Sequence, residues 1–358
     1  MRILNIVIAK TWGGGEQYVY DTAKAMQRHN VDVYIAVDIS NIKMQKKFSE
    51  VATVVTFNLY SGGGIMSIFS IKKFIEERNI DIINCHSGRA MPLCFILKLI
   101  TDRRYVRFNH NAILGKNDLY HKWQRQKTDA FVCVSKLVYE MQTENLNQCE
   151  TKKYYLIYNG IDIEKFNQSL DEIVLPKDVF RIGYAGRITS NKGIDILLSA
   201  IQVLRLKYSN IHLLLAGSDD NGYLKKVEQL IVEKDLVQCV EYLGHVYDME
   251  NFYSKLNVFV LPSVVREAFG LVICEAMYCG TVVVSTDSGA QKEIIEDGVD
   301  GYIVRSNDVE ALANCIEDIY LNYDQQENLK RRARIKVLEK FSIDTCVNQI
   351  LNLYNSLK

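Results

Sequence analysis

Residues 257–280 read Asn-Val-Phe-Val-Leu-Pro-Ser-Val-Val-Arg-Glu-Ala-Phe-Gly-Leu-Val-Ile-Cys-Glu-Ala-Met-Tyr-Cys-Gly. The apolar run at the start predicts a strand that closes at Pro262-Ser263. The amphipathic pattern after it predicts a helix that opens near Phe269 and stops at Gly280, the usual residue past a helix end. A buried strand followed directly by a helix is the repeating unit of a parallel α/β fold.

The same stretch places two carboxylates and a helix start close together. Glu267 falls in the loop at the carboxyl end of the strand, and Glu275 falls more than one turn inside the helix. The amides of Gly270, Leu271 and Val272 lie at the helix N-terminus, where free N–H groups and the helix dipole attract an anion. This arrangement fits a nucleotide-linked sugar laid across the helix start. The alternative for the pair alone is two solvated glutamates near a helix.

Strand and helix patterns alternate through the whole chain. Seven short apolar runs lie between residues 3 and 158, and six more lie between residues 181 and 304. Longer amphipathic stretches separate them, which predicts parallel sheets covered by helices on both faces. The polar stretch 163–176 lacks a clear period and is interpreted as a linker.

We therefore predict an α/β fold of two doubly wound, Rossmann-like domains facing each other across a cleft. The first domain covers residues 1–165 and the second covers residues 177–341. Ligands are expected at the carboxyl ends of the strands, in the cleft. The last segment, 342–358, carries an apolar helical face and is predicted to pack back on the first domain.

Composition limits the class of protein. A chain of 358 residues that is 48% hydrophobic and has only three prolines is compact, with room for two cores. The apolar runs are too short to span a membrane, and the first ten residues lack a signal-peptide pattern. Nine cysteines without a Cys-x-x-Cys spacing predict reduced core residues. We therefore expect a cytoplasmic protein.

The charge is balanced overall but divided unevenly along the chain. Residues 1–170 carry an excess of seven basic side chains, and residues 171–358 carry an excess of seven acidic ones. A basic half can dock on an anionic surface, although an imbalance of this size also arises by chance. Nothing beyond this basic half supports nucleic-acid binding. No Asp-x-Asp pair follows a strand and no cysteine–histidine spacing suits a metal, so no metal site is predicted.

The first strand is followed by the loop Thr11-Trp-Gly-Gly-Gly-Glu-Gln17. Its glycines let the backbone approach a ligand and tolerate positive φ, so Gly14 and Gly15 are candidates for binding an anionic donor. The spacing differs from Gly-x-Gly-x-x-Gly and from a phosphate loop that ends in Gly-Lys-Ser/Thr. A tight turn without a ligand is the alternative.

The first loop of the second domain reads Tyr184-Ala-Gly-Arg-Ile-Thr-Ser-Asn-Lys-Gly193. Arg187 and Lys192 are predicted to stand at a helix N-terminus, as two fixed positive charges for a diphosphate. Transfer from a nucleoside diphosphate needs such charges, because negative charge grows on the leaving diphosphate. A pair of exposed surface cations is the alternative.

These motifs resemble those of the retaining glycosyltransferases of family 4. The resemblance is carried by Gly-Arg-x4-Lys-Gly over 186–193, Glu-x7-Glu over 267–275, Tyr158-Asn-Gly-Ile-Asp162 and the opening Gly-Gly-x-Glu loop. Their order and spacing hold over nearly the full length. The resemblance implies the GT-B fold and transfer of a sugar from a nucleotide-sugar to an acceptor. It also implies that no metal and no other cofactor is needed, with a UDP-sugar as the expected donor.

The resemblance also implies roles for individual residues in the second domain. Arg187 and Lys192 match the family's diphosphate-binding pair, and Glu275 matches the carboxylate that holds the ribose hydroxyls. Glu267 matches the residue beside the donor-sugar hydroxyls. Two further segments are expected to contact the donor. The backbone of His245 and Val246, after one strand, matches the position that reads the base, and the segment after the strand 257–261 contributes Phe269, Gly270, Leu271 and Val272.

In the first domain, His110 falls where the family has a histidine near the donor's anomeric centre. His86 matches a looser family histidine, and a satisfied histidine at a strand end is the alternative. The sequence departs from the family at Ala268 and Ala290, where glycine is common, and both changes are expected to affect which sugar fits.

Two other functions share parts of this pattern. A nucleotide-sugar 2-epimerase has the same fold but is not expected to combine Gly-Arg-x4-Lys-Gly with Glu-x7-Glu. A non-catalytic GT-B subunit that binds glycan or a partner usually loses the cationic pair or the glutamates. Because all four residues are present, a glycosyltransferase, and among these a hexosyltransferase, is the preferred interpretation.

Residues 103–127 hold seven basic side chains against one acidic, with Tyr120 and Trp123 among them. This is the composition of a helix on a membrane surface, and an ordinary solvated helix is the alternative. The surface interpretation predicts a peripheral protein on the inner face of the membrane. Its acceptor would be a lipid-linked saccharide of a cell-surface glycan.

Overall fold

Two parallel sheets, one in each of two units, organise the part of the chain that the computed structural model describes, residues 1–60, 64–166, 178–219 and 221–357. Unit 1 consists of Met1–Gly160 with Ser342–Lys358, and unit 2 consists of Ile161–Phe341. Both sheets have the strand order of a doubly wound fold, with the first strand of each unit near the centre. The predicted α/β fold class is therefore confirmed.

Unit 1 has a seven-stranded sheet in its described residues, with the order β3-β2-β1-β4-β5-β6-β7. Its elements are β1 (Arg2–Ile6), α1 (Gly14–Gln27), β2 (Asp32–Asp38), α2 (Ile42–Phe48), β3 (Thr53–Phe57), α3 (Gly64–Glu77), β4 (Ile82–Cys85), α4 (Met91–Thr101), β5 (Arg104–Asn109), α5 (Leu119–Lys127), β6 (Ala130–Cys133), α6 (Lys136–Thr143), α7 (Gln148–Thr151) and β7 (Tyr154–Leu156).

Unit 2 has a six-stranded sheet in its described residues, with the order β10-β9-β8-β11-β12-β13. Its elements are β8 (Phe180–Ala185), α8 (Ile194–Arg205), β9 (Ile211–Ala216), α9 (Leu224–Glu233), β10 (Val240–Gly244), α10 (Met249–Tyr253), β11 (Val258–Leu261), α11 (Leu271–Tyr278), β12 (Val282–Thr286), α12 (Gln291–Ile294), β13 (Tyr302–Val304), α13 (Val309–Leu321) and α14 (Glu327–Lys340).

The chain ends in helix α15 (Ile343–Ser356), which packs on α1 in unit 1. Val347, Ile350 and Tyr354 form a fully buried face, spaced at three and four residues as one side of a helix requires. The Tyr354 hydroxyl also accepts a hydrogen bond from Asn84 Nδ2 at 2.7 Å. The helix thus contributes both apolar and polar contacts to the core beneath the sheet of unit 1.

The boundary between the units falls earlier than the predicted end of the first domain at residue 165. The N–H of Ile161 donates to the carbonyl of Phe341, and the Phe166 ring meets Tyr278 edge-on at 6.2 Å between centroids. These contacts tie residues 161–166 to unit 2. Of the predicted linker 163–176, positions 167–176 lie outside the described residues, as do Lys177, Asp220 and Lys358.

Helix α1 begins at Gly14, inside the loop predicted over residues 11–17. The chain after β6 forms two separate helices, α6, which ends at Thr143, and the short α7. Asn147 caps α7 with a capping box, since its side chain accepts from the Glu150 N–H while Glu150 bonds back to the Asn147 N–H. Among the described residues, no helix combines the length and the apolar character that crossing a membrane requires.

Candidate active site

The candidate residues of unit 2 lie where the parallel strands end. The carboxyl ends of β8, β11 and β12 meet at one edge of the sheet, so the loops that follow them are neighbours. Gly289, after β12, packs so closely that an added Cβ would overlap the Glu267 backbone, and the Ala290 N–H donates to the Glu267 carbonyl at 3.0 Å. Glycine at 289 therefore holds the glutamate loop in place.

Lys192 and Glu267 form an ion pair between two of these loops. Lys192 Nζ bonds Glu267 Oε1, and both side chains are only 16% exposed. The buried hydroxyl of Ser263 donates to the same carboxylate oxygen. The alternatives of a solvated glutamate and a solvated lysine therefore do not apply to these two residues. The sequence predicts Ser263 only as the end of a strand and does not identify it as a site residue.

Arg187 follows β8 on the same edge, in the loop that leads to Lys192. Its backbone carbonyl accepts a hydrogen bond from the Tyr184 hydroxyl at 2.9 Å, which fixes the loop from below. Burial, with the negative charge of Glu267 adding to it, raises the pKa of Tyr184, so this hydroxyl keeps its proton. Lys192 ends a short 3₁₀ turn just before α8, whose N-cap is Gly193 with φ of +68°.

Helix α11 begins directly after the glutamate loop. Gly270 is its N-cap, with φ of +119°, and Leu271 and Val272 are its first two residues. The first amides of a helix lack partners within the helix, so this end can receive an anion. The ring of Phe269 is buried and packs edge-on against Phe341, so it anchors the loop. Only the backbone of Phe269 is therefore available to contact a ligand.

Glu275 lies on the second turn of α11 and is held by a residue that the sequence did not reveal. The hydroxyl of Tyr253, at the end of α10, donates to Glu275 Oε2 at 2.8 Å. Tyr253 is fully buried, and burial together with the charge of Glu275 raises its pKa well above the usual value. The phenol therefore stays a donor and orients the carboxylate.

His245 and Val246 follow β10 on the same edge. His245 is exposed, and its ring meets the ring of Tyr247 edge-on at 4.6 Å. The Tyr247 side chain is 89% exposed. This corner presents backbone and aromatic surface to solvent, so a flat ring could bind there without displacing packed side chains.

His110, Gly14 and Gly15 belong to unit 1. His110 follows β5, and its Nε2 lies 3.2 Å from Nδ1 of His86, which follows β4. His86 Nε2 in turn lies 2.9 Å from Asn5 Oδ1, on β1. Since an amide oxygen only accepts, His86 carries its proton on Nε2 and donates it to Asn5 Oδ1, and its Nδ1 accepts a hydrogen bond from the Nε2–H of His110. Burial lowers the pKa of His110 to about 4 and, with His110 close by, lowers that of His86.

Gly14 and Gly15 form the first turn of α1 rather than a loop, and neither has a positive φ. These two glycines therefore do not serve to supply a positive φ, and their expected role in donor binding stays a prediction. A Cβ added to either would meet no atom within 4 Å. Packing within the protein thus does not require glycine at these two positions, and the space beside this helix start is open to a ligand.

The histidine pair predicts a pH dependence of stability. A pKa near 4 in the folded state against about 6.5 in the unfolded state means that the unfolded chain binds more protons between these values. Stability should be complete above about pH 6.5 and fall toward pH 4, by up to about 3 kcal/mol for His110. Urea unfolding of wild type and His110→Gln at pH 5 and 7.5 measures this. His29→Gln, which replaces an exposed histidine, is the control and should lose as much stability between pH 7.5 and pH 5 as wild type does. The prediction is wrong if the free energy of unfolding of His110→Gln falls by the same amount as that of wild type over this pH range.

Two family models match the chain one after the other. The model of Glycosyltransferase Family 4 matches residues 12–165, and the model of glycosyl transferases group 1 matches residues 165–336. The chain belongs to the group 1 glycosyltransferases. The expected resemblance is thereby confirmed, and the described loops of unit 2 lie within the second match.

This group 1 glycosyltransferase is similar to curated proteins over part of its length. The capsular polysaccharide biosynthesis glycosyltransferase CapM of Staphylococcus aureus is 32% identical over 64% of this chain and 62% of its own. The lipopolysaccharide core biosynthesis mannosyltransferase LpcC of Rhizobium leguminosarum bv. viciae is 26% identical over 69% of this chain and 70% of its own. The chain spans about three fifths of the length of several such relatives, CapM among them.

Solved structures match the fold over 99% of the chain. A glycosyltransferase from Rickettsia africae superposes with a TM-score of 0.88 at 22% identity, over 98% of that chain. HepE of Anabaena, in complex with UDP and glucose, superposes with a TM-score of 0.83 at 21% identity, over all of that chain. At these identities the likeness concerns the fold alone, and it confirms the GT-B class.

Proposed function

We propose that the protein is a retaining glycosyltransferase that moves a sugar from a nucleotide-sugar to a saccharide or lipid-linked saccharide in cell-surface glycan biosynthesis. The observation that carries the proposal is the ion pair of Lys192 and Glu267 beside the N-terminus of α11. It joins a cation for a diphosphate to a carboxylate for sugar hydroxyls at one strand edge. Membership of the group 1 glycosyltransferases supports it.

Donor binding follows from the charges at this edge. Arg187, Lys192 and the first amides of α11 would hold the diphosphate, and Glu275 would accept hydrogen bonds from the ribose. The corner at His245 and Val246 would receive the base. A UDP-sugar is the proposed donor, since HepE, which has the same fold, was solved with UDP and with UDP-glucose.

The proposed reaction proceeds on one face of the sugar. The acceptor oxygen forms the new bond to the anomeric carbon as the bond to the diphosphate breaks, and a diphosphate oxygen takes the acceptor proton. Charge grows on the leaving diphosphate, where Arg187, Lys192 and the helix amides stabilise it. Glu267 is bound by Lys192 and Ser263, which suits a residue that positions sugar hydroxyls rather than a nucleophile. His110 would orient the donor.

The acceptor is proposed from the relatives. CapM is named for capsular polysaccharide biosynthesis and LpcC for the lipopolysaccharide core. A lipopolysaccharide, as its name says, joins a saccharide to a lipid, so the acceptor proposed for this protein is lipid-linked. We therefore place it in the cytoplasm, peripheral on the inner face of the membrane, with its basic segment 103–127 toward anionic lipid.

A donor panel tests the proposal. Thermal unfolding with UDP, GDP and their sugars should show stabilisation by one nucleotide, because a ligand that binds the folded state alone raises the apparent stability. NMR of the product formed with that donor should show the anomeric configuration of the donor retained. An inverted product excludes the mechanism, and epimerisation of the free donor would make the protein an epimerase. Donor binding without transfer to any acceptor would indicate a non-catalytic subunit.

Metal independence is expected of this site. Two basic side chains and a helix N-terminus can neutralise the diphosphate, so a divalent ion is not needed for that role. Transfer rates should therefore change less than about twofold when EDTA is added. Activity that EDTA abolishes and Mn²⁺ restores would show that the diphosphate is held by metal instead.

A further inference from the structure

The outer face of helix α4 is apolar although it faces solvent. Ile96, Leu99 and Ile100 are spaced as one helix side and are 39%, 43% and 38% exposed. Lys98 of the same helix points inward, where its Nζ pairs with Asp129 at 3.0 Å. A surface helix normally keeps polar residues outside and apolar ones inside. In α4 the apolar residues Phe95 and Leu97 are buried as usual, but the exposed side of its last two turns is apolar as well.

Helix α5 continues this apolar surface. The ring of Trp123 meets Phe95 of α4 edge-on at 4.7 Å, so the two helices touch. Trp123 and Tyr120 remain 43% and 44% exposed, and Leu119 is 85% exposed. We call the exposed side chains of both helices the α4–α5 face; it comprises Ile96, Leu99, Ile100, Leu119, Tyr120 and Trp123.

Cations outnumber anions around the α4–α5 face, although exposed carboxylates are present at Asp102, the C-cap of α4, and at Asp118, the N-cap of α5. Lys116, Lys122 and Lys127 are exposed on or beside α5. Within residues 103–127 the one acidic residue is Asp118, which caps α5 and forms a hydrogen bond with the His121 side chain. Arg125 does not belong to this set, because it is buried and donates to the Lys116 carbonyl and to Asn117 Oδ1, each at 2.6 Å.

We infer that the α4–α5 face is a docking surface for a lipid bilayer with anionic headgroups. Its aliphatic side chains match the acyl region, its exposed Trp and Tyr match the headgroup boundary, and its lysines match anionic lipid. The charge complementarity favours a bilayer over a second copy of the chain, since two such faces would bring like charges together. The sequence predicts a membrane-surface helix only within residues 103–127, whereas half of this face belongs to α4.

This inference stands on unit 1 alone. Its purpose, to bring the enzyme to a lipid-linked acceptor, rests on the proposed function. Vesicle binding and donor binding are separate measurements, so a failure of either one identifies which proposal is wrong.

Co-sedimentation with vesicles is the first test. The full chain should bind phosphatidylglycerol vesicles at least about tenfold more tightly than phosphatidylcholine vesicles, and 0.5 M NaCl should weaken the binding because salt screens exposed charges. The variant Ile96→Ser/Leu99→Ser/Ile100→Ser should lose at least about tenfold in binding. The variant Lys122→Glu/Lys127→Glu should lose the preference for anionic lipid. The matched control is Leu206→Ser/Val232→Ser, at exposed apolar positions of unit 2, and should bind as wild type does.

Tryptophan fluorescence is the second test, because the chain has only Trp12 and Trp123. In the Trp12→Phe variant, the emission of Trp123 should shift to the blue when anionic vesicles are added, and brominated lipid should quench it. Thermal unfolding and UDP binding of every variant check that the fold is intact.

Three results would overturn the inference. One is vesicle binding that the serine variant leaves unchanged. Another is Trp123 emission that no vesicle alters. The third is sedimentation showing that wild type is a dimer that the serine variant makes monomeric, which would assign the face to a second copy.

Discussion

Lys192→Ala is expected to lower the rate of sugar transfer by about 100-fold or more, the scale of losing one charge-stabilising donor at a developing anion. Lys192 is 16% exposed and pairs with Glu267, so its charge lies at the strand edge proposed for the diphosphate. Arg187→Ala should have an effect of the same order. Steady-state rates with saturating donor and acceptor measure the effect, which should appear in kcat and in kcat/KM alike.

A second lysine of unit 2 gives a matched control for this substitution. Lys336 pairs with Asp300 at 2.7 Å, and its side chain is 17% exposed, almost as little as that of Lys192. Lys336→Ala should lower stability by a similar amount but leave the transfer rate within about twofold of wild type. Near-normal transfer by both Lys192→Ala and Arg187→Ala would remove them from the proposed diphosphate site.

The fold was predictable because each strand is a short apolar run between two turn signals. Strand β11 shows why, since Val258, Phe259, Val260 and Leu261 are all buried, which is the pattern of a parallel strand covered on both faces. All thirteen predicted runs are strands, and their bounds differ from the predicted ones by at most two residues. Loop 11–17 was misjudged, because three glycines hide the helical start at Gly14.

The candidate site was predictable in its motif residues but not in the contacts that hold them. Lys192 and Glu267 are 75 positions apart, and only the close approach of three loops brings them together. Tyr253 and Asn5 belong to no sequence motif. Only the fold brings the Tyr253 hydroxyl to Glu275 and the Asn5 amide oxygen to His86. The burial of Arg125 was also hidden, since a charged helix residue is usually solvated.

Glu275→Gln is expected to weaken the binding of UDP, the proposed nucleotide, by about 10- to 100-fold, since a hydrogen bond to a charged group contributes roughly 1.5–3 kcal/mol and a neutral one less. Glutamine keeps a side-chain oxygen to accept the Tyr253 hydrogen bond, so the buried phenol is not left without a partner. Glu275→Ala would orphan that phenol, at a cost of about 1–3 kcal/mol of stability. The glutamine variant therefore separates nucleotide binding from folding.

Tyr253→Phe completes the comparison, because it removes the hydroxyl but keeps the charge of Glu275. Its affinity for UDP should fall only a fewfold, since the carboxylate remains but is less firmly oriented. Titration calorimetry with UDP gives the affinities, and urea unfolding gives the stabilities. If Glu275→Gln binds UDP as tightly as wild type, the carboxylate does not contact the nucleotide, and its bond to Tyr253 serves only to join α10 to α11.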